Sequence, residues 1–303
     1  MTETARETTV LPPVGDAPKS VFQRKGLTYS NTFDSPLRRN IIRAIEWMTG
    51  KYTIVRMLRQ FEREWPANGK SLWRAALDVM NIPLLTPGEE IARIPSTGPV
   101  IFVANHPHGL VDGMIMADLI GRRRDDYRIL TRSLLTSIHE EAGQYMIAVP
   151  FPHQPDAQEK MVEMRRQAME HLREGGVIAL FPSGVVASSE TFFGPALEAE
   201  WNVFTAKMIR MSGATVVPCY FPGSNSRWYQ IANKLSPVLR QSLLLFEIVH
   251  ARNKAQRPVI GHPLDPEEVK ERLKDPRSFM QDLRAQVLAL GENQRVGTGV
   301  SPR

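Results

Sequence analysis

Short runs of apolar residues with no alternation recur between residues 100 and 264, and they constrain the fold more than any other feature of the chain. A strand with one wet face alternates apolar and polar residues. An unbroken run must instead be buried on both faces, as in the parallel sheet of an α/β protein. Val100 to Ala104 reads this way, and "YRILT" (127–131), "MIAVPF" (146–151), "VIALFP" (177–182), "TVVPCYFP" (215–222) and "PVIGHPL" (258–264) look like strands or strand ends. Between them, Leu110–Ile120, Asp156–Glu174 and Glu198–Met211 carry helical spacing. The expected architecture is a mixed sheet flanked by helices. The 303 residues allow one large or two ordinary domains, and 42% hydrophobic with 23% charged residues are globular values. Residues 1–30, rich in Thr, Pro and charge, read as a mobile tail. Residues 31–80 read as a helical segment, and residues 81–295 as the domain that holds the sheet.

The chain has a net charge of +6, and the excess is local. Between Leu37 and Arg59, Arg38, Arg39, Arg43, Lys51, Arg56 and Arg59 stand against Glu46 alone. Through the same stretch Leu37, Ile41, Ile45, Met48, Tyr52, Val55 and Leu58 recur at helical spacing, which predicts a basic amphipathic helix, or a helix pair broken near Gly50. Such a face suits an anionic membrane surface; its alternative use is packing on the main domain. No uncharged run approaches the ~20 residues of a spanning helix. "PVLRQSLLLFEIVH" (237–250) reads as a core helix, with a second membrane-facing surface as the alternative. Cys219 is the only cysteine, so internal disulfides and multi-cysteine zinc sites are excluded, and its apolar neighbours make it inert. No nucleic-acid recognition element accompanies the basic segment.

The residues with chemical potential lie in "NHPHGLVDG", 105–113. His106 follows the first strand, Pro107 holds the preceding backbone extended, Gly109 permits a tight turn, and Asp112 falls in the first turn of the next helix. An imidazole titrating at about 6.5 can accept a proton at neutral pH, and a carboxylate on its other nitrogen fixes the tautomer. A helix dipole favours an aspartate there in any case, and His108 could be a polar turn residue.

Four blocks in order, spanning roughly residues 80–265, resemble those of the glycerolipid acyltransferases, the lysophosphatidic-acid-acyltransferase-like group, within it the branch labelled haemolysins. They are "NHPHGLVDG", "YRILTR" ending in Arg132, "ALFPSG" (179–184) and "VVPCYFPG" (216–223). The resemblance implies an α/β acyltransferase domain behind a membrane-docking N-terminal segment. It implies transfer of a fatty acyl group from an acyl carrier protein or coenzyme A thioester to the hydroxyl of a lyso-lipid, at the cytoplasmic face of the inner membrane, with no metal or other cofactor. His106 and Asp112 are then the catalytic pair, and Asn105, His108, Arg132, Ser183, Gly184 and Pro218 are substrate-binding residues. The thioester is already activated, so a base beside the hydroxyl suffices and no serine nucleophile is needed.

Two departures matter. Five residues separate His106 from Asp112 and three separate His108 from it, where the family commonly has four. His106 is preferred because it directly follows the strand, with His108 the alternative. Ser183 stands where the family has a glutamate, and Val185 and Val186 where many members have threonine and arginine. Lost phosphate-binding groups point to a lyso-aminolipid acceptor; lysophosphatidic acid or another lysophospholipid is the alternative. Two readings from other classes are a nonenzymatic, haemolysin-like membrane-binding protein and a metal-dependent hydrolase built on His106, His108 and Asp112.

Overall fold

The computed structural model describes residues 35–65, 71–132, 140–151, 156–236, 239–240 and 243–298. The tail expected at 1–30 and part of the 237–250 segment lie outside them. The elements are α1 (Pro36–Glu46), a π-helical turn (Trp47–Lys51), α2 (Tyr52–Glu64), α3 (Leu72–Val79), α4 (Gly88–Ile91), β1 (Val100–Ala104), α5 (Leu110–Gly121), β2 (Tyr127–Arg132), α6 (Glu140–Gln144) and β3 (Met146–Val149). After these come α7 (Ala157–Arg173), β4 (Val177–Leu180), the small strands β5 (Ser188–Ser189) and β6 (Ala196–Leu197), α8 (Val203–Ser212), β7 (Thr215–Tyr220), α9 (Arg227–Leu235), α10 (Leu244–His250), β8 (Val259–Ile260), α11 (Pro266–Arg272) and α12 (Pro276–Thr298).

The main sheet runs β3-β2-β4-β1-β7-β8. Its first five strands pair in parallel, and β8 is antiparallel to β7. The expected α/β fold with a mixed sheet between helices is therefore present. At its centre the sheet has two dry faces, which is why β1 and β4 do not alternate; β2 and the edge strand β3 are only partly buried. In β1, Val100, Phe102 and Ala104 join the core beneath α2, α3 and α5, while Ile101 and Val103 join the opposite core with α7, α8 and α12. The helix expected from Glu198 begins only at Val203, because Asn202 caps it by accepting the Phe204 N–H at 2.8 Å. "PVIGHPL" yields only the two-residue β8.

The basic N-terminal stretch forms a bent helix pair. Gly50, at φ +150°, makes the bend, and a side chain there would strike Val249 of α10. The break falls at the expected glycine, and of the stripe read from sequence Leu37, Ile41, Met48 and Tyr52 face outward while Ile45, Val55 and Leu58 are half-buried. Ile42, Ile54, Met57 and Phe61 are buried. Leu37, Ile41, Trp47, Met48 and Tyr52 are exposed instead, Met48 by 86%. Among the described residues no helix is long and apolar enough to cross a membrane.

At the amino edge of the sheet, Arg124 fastens three strands. Its buried guanidinium grips Asp126 through two bonds of 2.7 and 2.5 Å and donates to the carbonyls of Gly98 at 2.7 Å and Gly175 at 2.5 Å. These lie just before β1, β2 and β4. A lysine has one point charge and cannot form this fork. Arg124→Lys is therefore expected to lower unfolding stability by about 3 kcal/mol in urea titration, with the specific activity of the folded fraction retained.

Candidate functional site

The site sits at the carboxyl ends of β1, β2 and β4, where open α/β sheets bind ligands. β1 ends at Ala104, and Asn105 locks the loop that follows. Its amide oxygen accepts the Phe221 N–H at 2.7 Å and its amide nitrogen donates to the Phe221 carbonyl at 2.9 Å. This two-bond clamp ties the end of β1 to the loop after β7. Gly109, at φ +75°, then turns the chain into α5.

Asp112 is fully buried and collects four bonds. Oδ2 accepts from His106 Nδ1 at 3.1 Å, His108 N–H at 2.7 Å and Gly109 N–H at 3.1 Å, while Oδ1 accepts from His108 Nδ1 at 2.9 Å. An ionised carboxylate only accepts, so both imidazoles carry their proton on Nδ1 and leave Nε2 as the basic nitrogen. The two rings differ in their surroundings. His106 stacks on Phe181 at 3.9 Å between centroids and lines a cavity of about 330 Å³. His108 does not line it; a side chain on Gly223 would fall 2.9 Å from its Nε2, so that nitrogen abuts a loop.

The cavity wall is largely apolar, with Met114, Met146, Met161 and Met164 beside Leu180 and Phe181. Two guanidiniums reach it. Arg132 donates to the carbonyls of Pro150 and Gly184 at 3.3 and 3.4 Å and covers the Phe151 ring; burial pulls its pKa down. Arg165, on α7, lies over Phe204 at 5.5 Å. Neither has an acidic partner among the described residues. Ser183 and Gly184 line the cavity as well, and the Ser183 hydroxyl donates to the Val185 carbonyl. Pro218 does not line it: it sits in mid-strand in β7 against Gly261. Among the described residues no group of three His, Cys, Asp or Glu side chains is placed to hold a metal ion.

Two residues escaped the sequence reading. Arg165 is one of many charges on a long amphipathic helix, with nothing local to single it out. Glu198 reads in sequence as part of a helix; in the structure its buried carboxylate accepts the His106 N–H and the Trp201 indole N–H, both at 3.1 Å, and its carbonyl accepts from Arg284. Burial pushes its pKa up, and the His106 N–H offsets part of that. No spacing rule links positions 92 residues apart.

Burial alone would raise the pKa of Asp112, but the attraction of His108 and the hydrogen bonds from both histidines reverse this and bring it to about 2, from an ordinary 3.8. A carboxyl group depressed by folding stabilises the protein above its ordinary value, and that stability is lost as pH falls toward the folded value. The shift corresponds to about 2 kcal/mol. Acid unfolding followed by circular dichroism should therefore steepen between about pH 4 and 2, and Asp112→Asn should flatten that limb.

Comparison with known proteins identifies the family. An acyltransferase family model matches residues 35–248, more than two thirds of the chain. The lyso-glycine lipid O-acyltransferase of Phocaeicola vulgatus is 27% identical over 202 residues, covering 63% of this chain and 68% of that protein. Its counterpart in Bacteroides thetaiotaomicron is also 27% identical over 202 residues, covering 63% of this chain and 70% of its own. Among solved structures, the 1-acyl-sn-glycerophosphate (LPA) acyltransferase PlsC of Thermotoga maritima aligns over 85% of both chains at 16% identity and a TM-score of 0.42. The chain is an acyltransferase and belongs to the glycerolipid and lysophospholipid acyltransferase family.

Proposed function

We propose that the protein transfers a fatty acyl group from an acyl thioester, carried by acyl carrier protein or coenzyme A, to the hydroxyl of a lyso-lipid, with His106 as base. The observation that carries this reading is the difference between the two imidazoles: both rest on Asp112, and only His106 lines the cavity. His106 Nε2 takes the hydroxyl proton as the oxygen attacks the thioester carbonyl. The tetrahedral intermediate collapses, the C–S bond breaks, and the thiolate leaves with the proton that His106 held. Asp112 stabilises the imidazolium between these steps, and Phe181 keeps the ring in plane. Glu198, Asn105 and His108 act on the loop rather than on substrate.

The methionine-rich wall suits an acyl chain, because methionine adapts to flexible apolar ligands. Arg132 and Arg165 suit an anionic head group. A lyso-aminolipid acceptor is supported by Ser183, Val185 and Val186, which supply neither the carboxylate nor the guanidinium of the family's third block, and by the lyso-glycine lipid O-acyltransferases among its relatives. Val186 packs over Gly109, where the loop turns into α5. Residues 35–64 dock on an anionic membrane through the exposed Leu37, Trp47, Met48 and Tyr52, flanked by exposed Arg43, Arg56 and Arg59. Such docking is peripheral, and the reading puts it on the cytoplasmic face of the inner membrane, where the thioester donors are.

Steady-state kinetics test the base. His106→Ala should lower kcat by about 10²–10⁴, and His108→Ala by less than about tenfold, both with folding preserved. Equal losses, or the reverse order, would move the base to His108.

Competition tests the acceptor. With both lyso-lipids present, kcat/KM for the lyso-aminolipid should exceed that for lysophosphatidic acid, and Arg165→Gln should weaken KM for either. A preference of about tenfold for lysophosphatidic acid, ~1.4 kcal/mol in the transition state, would return the enzyme to phospholipid synthesis.

A further inference from the structure

Between β4 and α8 the chain makes a small antiparallel hairpin, with Ser189 opposite Ala196, and carries Phe192 and Phe193 at its tip. Phe193 is 83% exposed and Phe192 46%. Beside the hairpin, α9 buries Tyr229, Gln230 and Ala232 and turns Arg227, Trp228, Lys234 and Leu235 outward; Trp228 is 67% exposed. Large aromatic groups grouped on one surface mark a contact site rather than ordinary exposure.

Nor does the tip project through looseness. The Ser189 N–H donates to Gln230 Oε1 at 2.8 Å, and Arg227 donates to the carbonyls of Phe193 and Gly194 at 3.0 and 2.6 Å. Both elements are also rooted in the His106 loop. The Ala187 N–H donates to the His106 carbonyl at 2.8 Å, and the Asn225 N–H to the Pro107 carbonyl at 3.2 Å. From Ser224 to Phe246 the sequence has Arg227, Lys234 and Arg240 and no acidic residue; Glu190, at the base of the hairpin, is the acid of that element. Tryptophan and phenylalanine beside cations fit the interface of an anionic bilayer.

We propose that the Phe192–Phe193 tip and the Trp228 face of α9 form a second bilayer contact, separate from α1–α2, which seats the His106 loop at the lipid interface. It rests on the reading of the acceptor as a membrane lipid. Two footings fix both height and tilt of the sheet's carboxyl edge over the membrane, whereas the helix pair alone leaves the tilt free. A lyso-lipid could then reach His106 by sliding along the interface, its head group staying hydrated.

The test uses the buried Cys219 to advantage, since a single introduced cysteine can be labelled selectively. Phe193→Cys and Trp228→Cys carry an environment-sensitive fluorophore, and Met211→Cys, exposed at the far end of α8, is the control. On vesicles of phosphatidylglycerol and phosphatidylcholine, the first two should shift to the blue and be quenched by a lipid-borne nitroxide, while the control should not. Replacing Phe192, Phe193 and Trp228 together by serine should weaken vesicle sedimentation by about tenfold or more and leave activity on a detergent-dispersed lyso-lipid unchanged. Probes that remain in water on sedimented protein would overturn this contact and leave docking through α1–α2 standing. Failure of the intact protein to sediment with vesicles would overturn both. A probe that shifts with acyl carrier protein and not with vesicles would make the surface a protein-docking site and overturn the proposal.

Discussion

The buried carboxylate of Asp112 organises the site. A charge placed without exposure at the start of an apolar helix is tenable only if donors surround it, and here the backbone of residues 108 and 109 and two imidazoles do so. The shape of the loop follows from that demand. Residues 106 to 109 must curl around one point, which requires the left-handed Gly109, and the second imidazole must find room, which Gly223 provides by having no side chain. One histidine is thereby spent on holding the loop and the other is held by it.

The two edges of the sheet divide the remaining work. At the amino edge, Arg124 joins the segments before three strands through a charged, buried knot. At the carboxyl edge the joints are made instead by Asn105 and Glu198, which tie β1 to the loop after β7 and to the segment before α8. These bonds connect loops and leave the ends of β2, β3 and β4 free to wall a cavity. Rigidity at one end and loop-borne chemistry at the other is a common division in α/β proteins.

How much of this was legible depended on distance along the chain. Two dry faces impose an unbroken apolar run on β1 and β4 and a nearly unbroken one on β7, and β2 and β3 could be read as short, largely apolar segments between helical ones. The nearness of His106, His108 and Asp112 could be read too, since seven consecutive residues contain them. Which imidazole faces the cavity could not, because Phe181 and Gly223 decide it and both arrive from other strands. Glu198 and Arg165 were illegible for the same reason. The N-terminal stretch was legible in part: its break near Gly50 could be read, but not that Leu37, Ile41 and Met48 face outward while Ile42 and Ile54 are buried.

The four methionines of the cavity wall have a consequence for the cell's lipids. Branched or aromatic walls measure a ligand, since each has few rotamers and a fixed depth. Met114, Met146, Met161 and Met164 instead yield to whatever is pressed against them. They share the wall with Trp73, Ile129, Val149, Phe181 and Phe204, whose shapes are fixed. If the pocket receives the acyl chain as proposed, the methionines let one part of the wall follow chains that differ in bend, and the chains of the product lipid then depend on the composition of the thioester pool as well as on the enzyme.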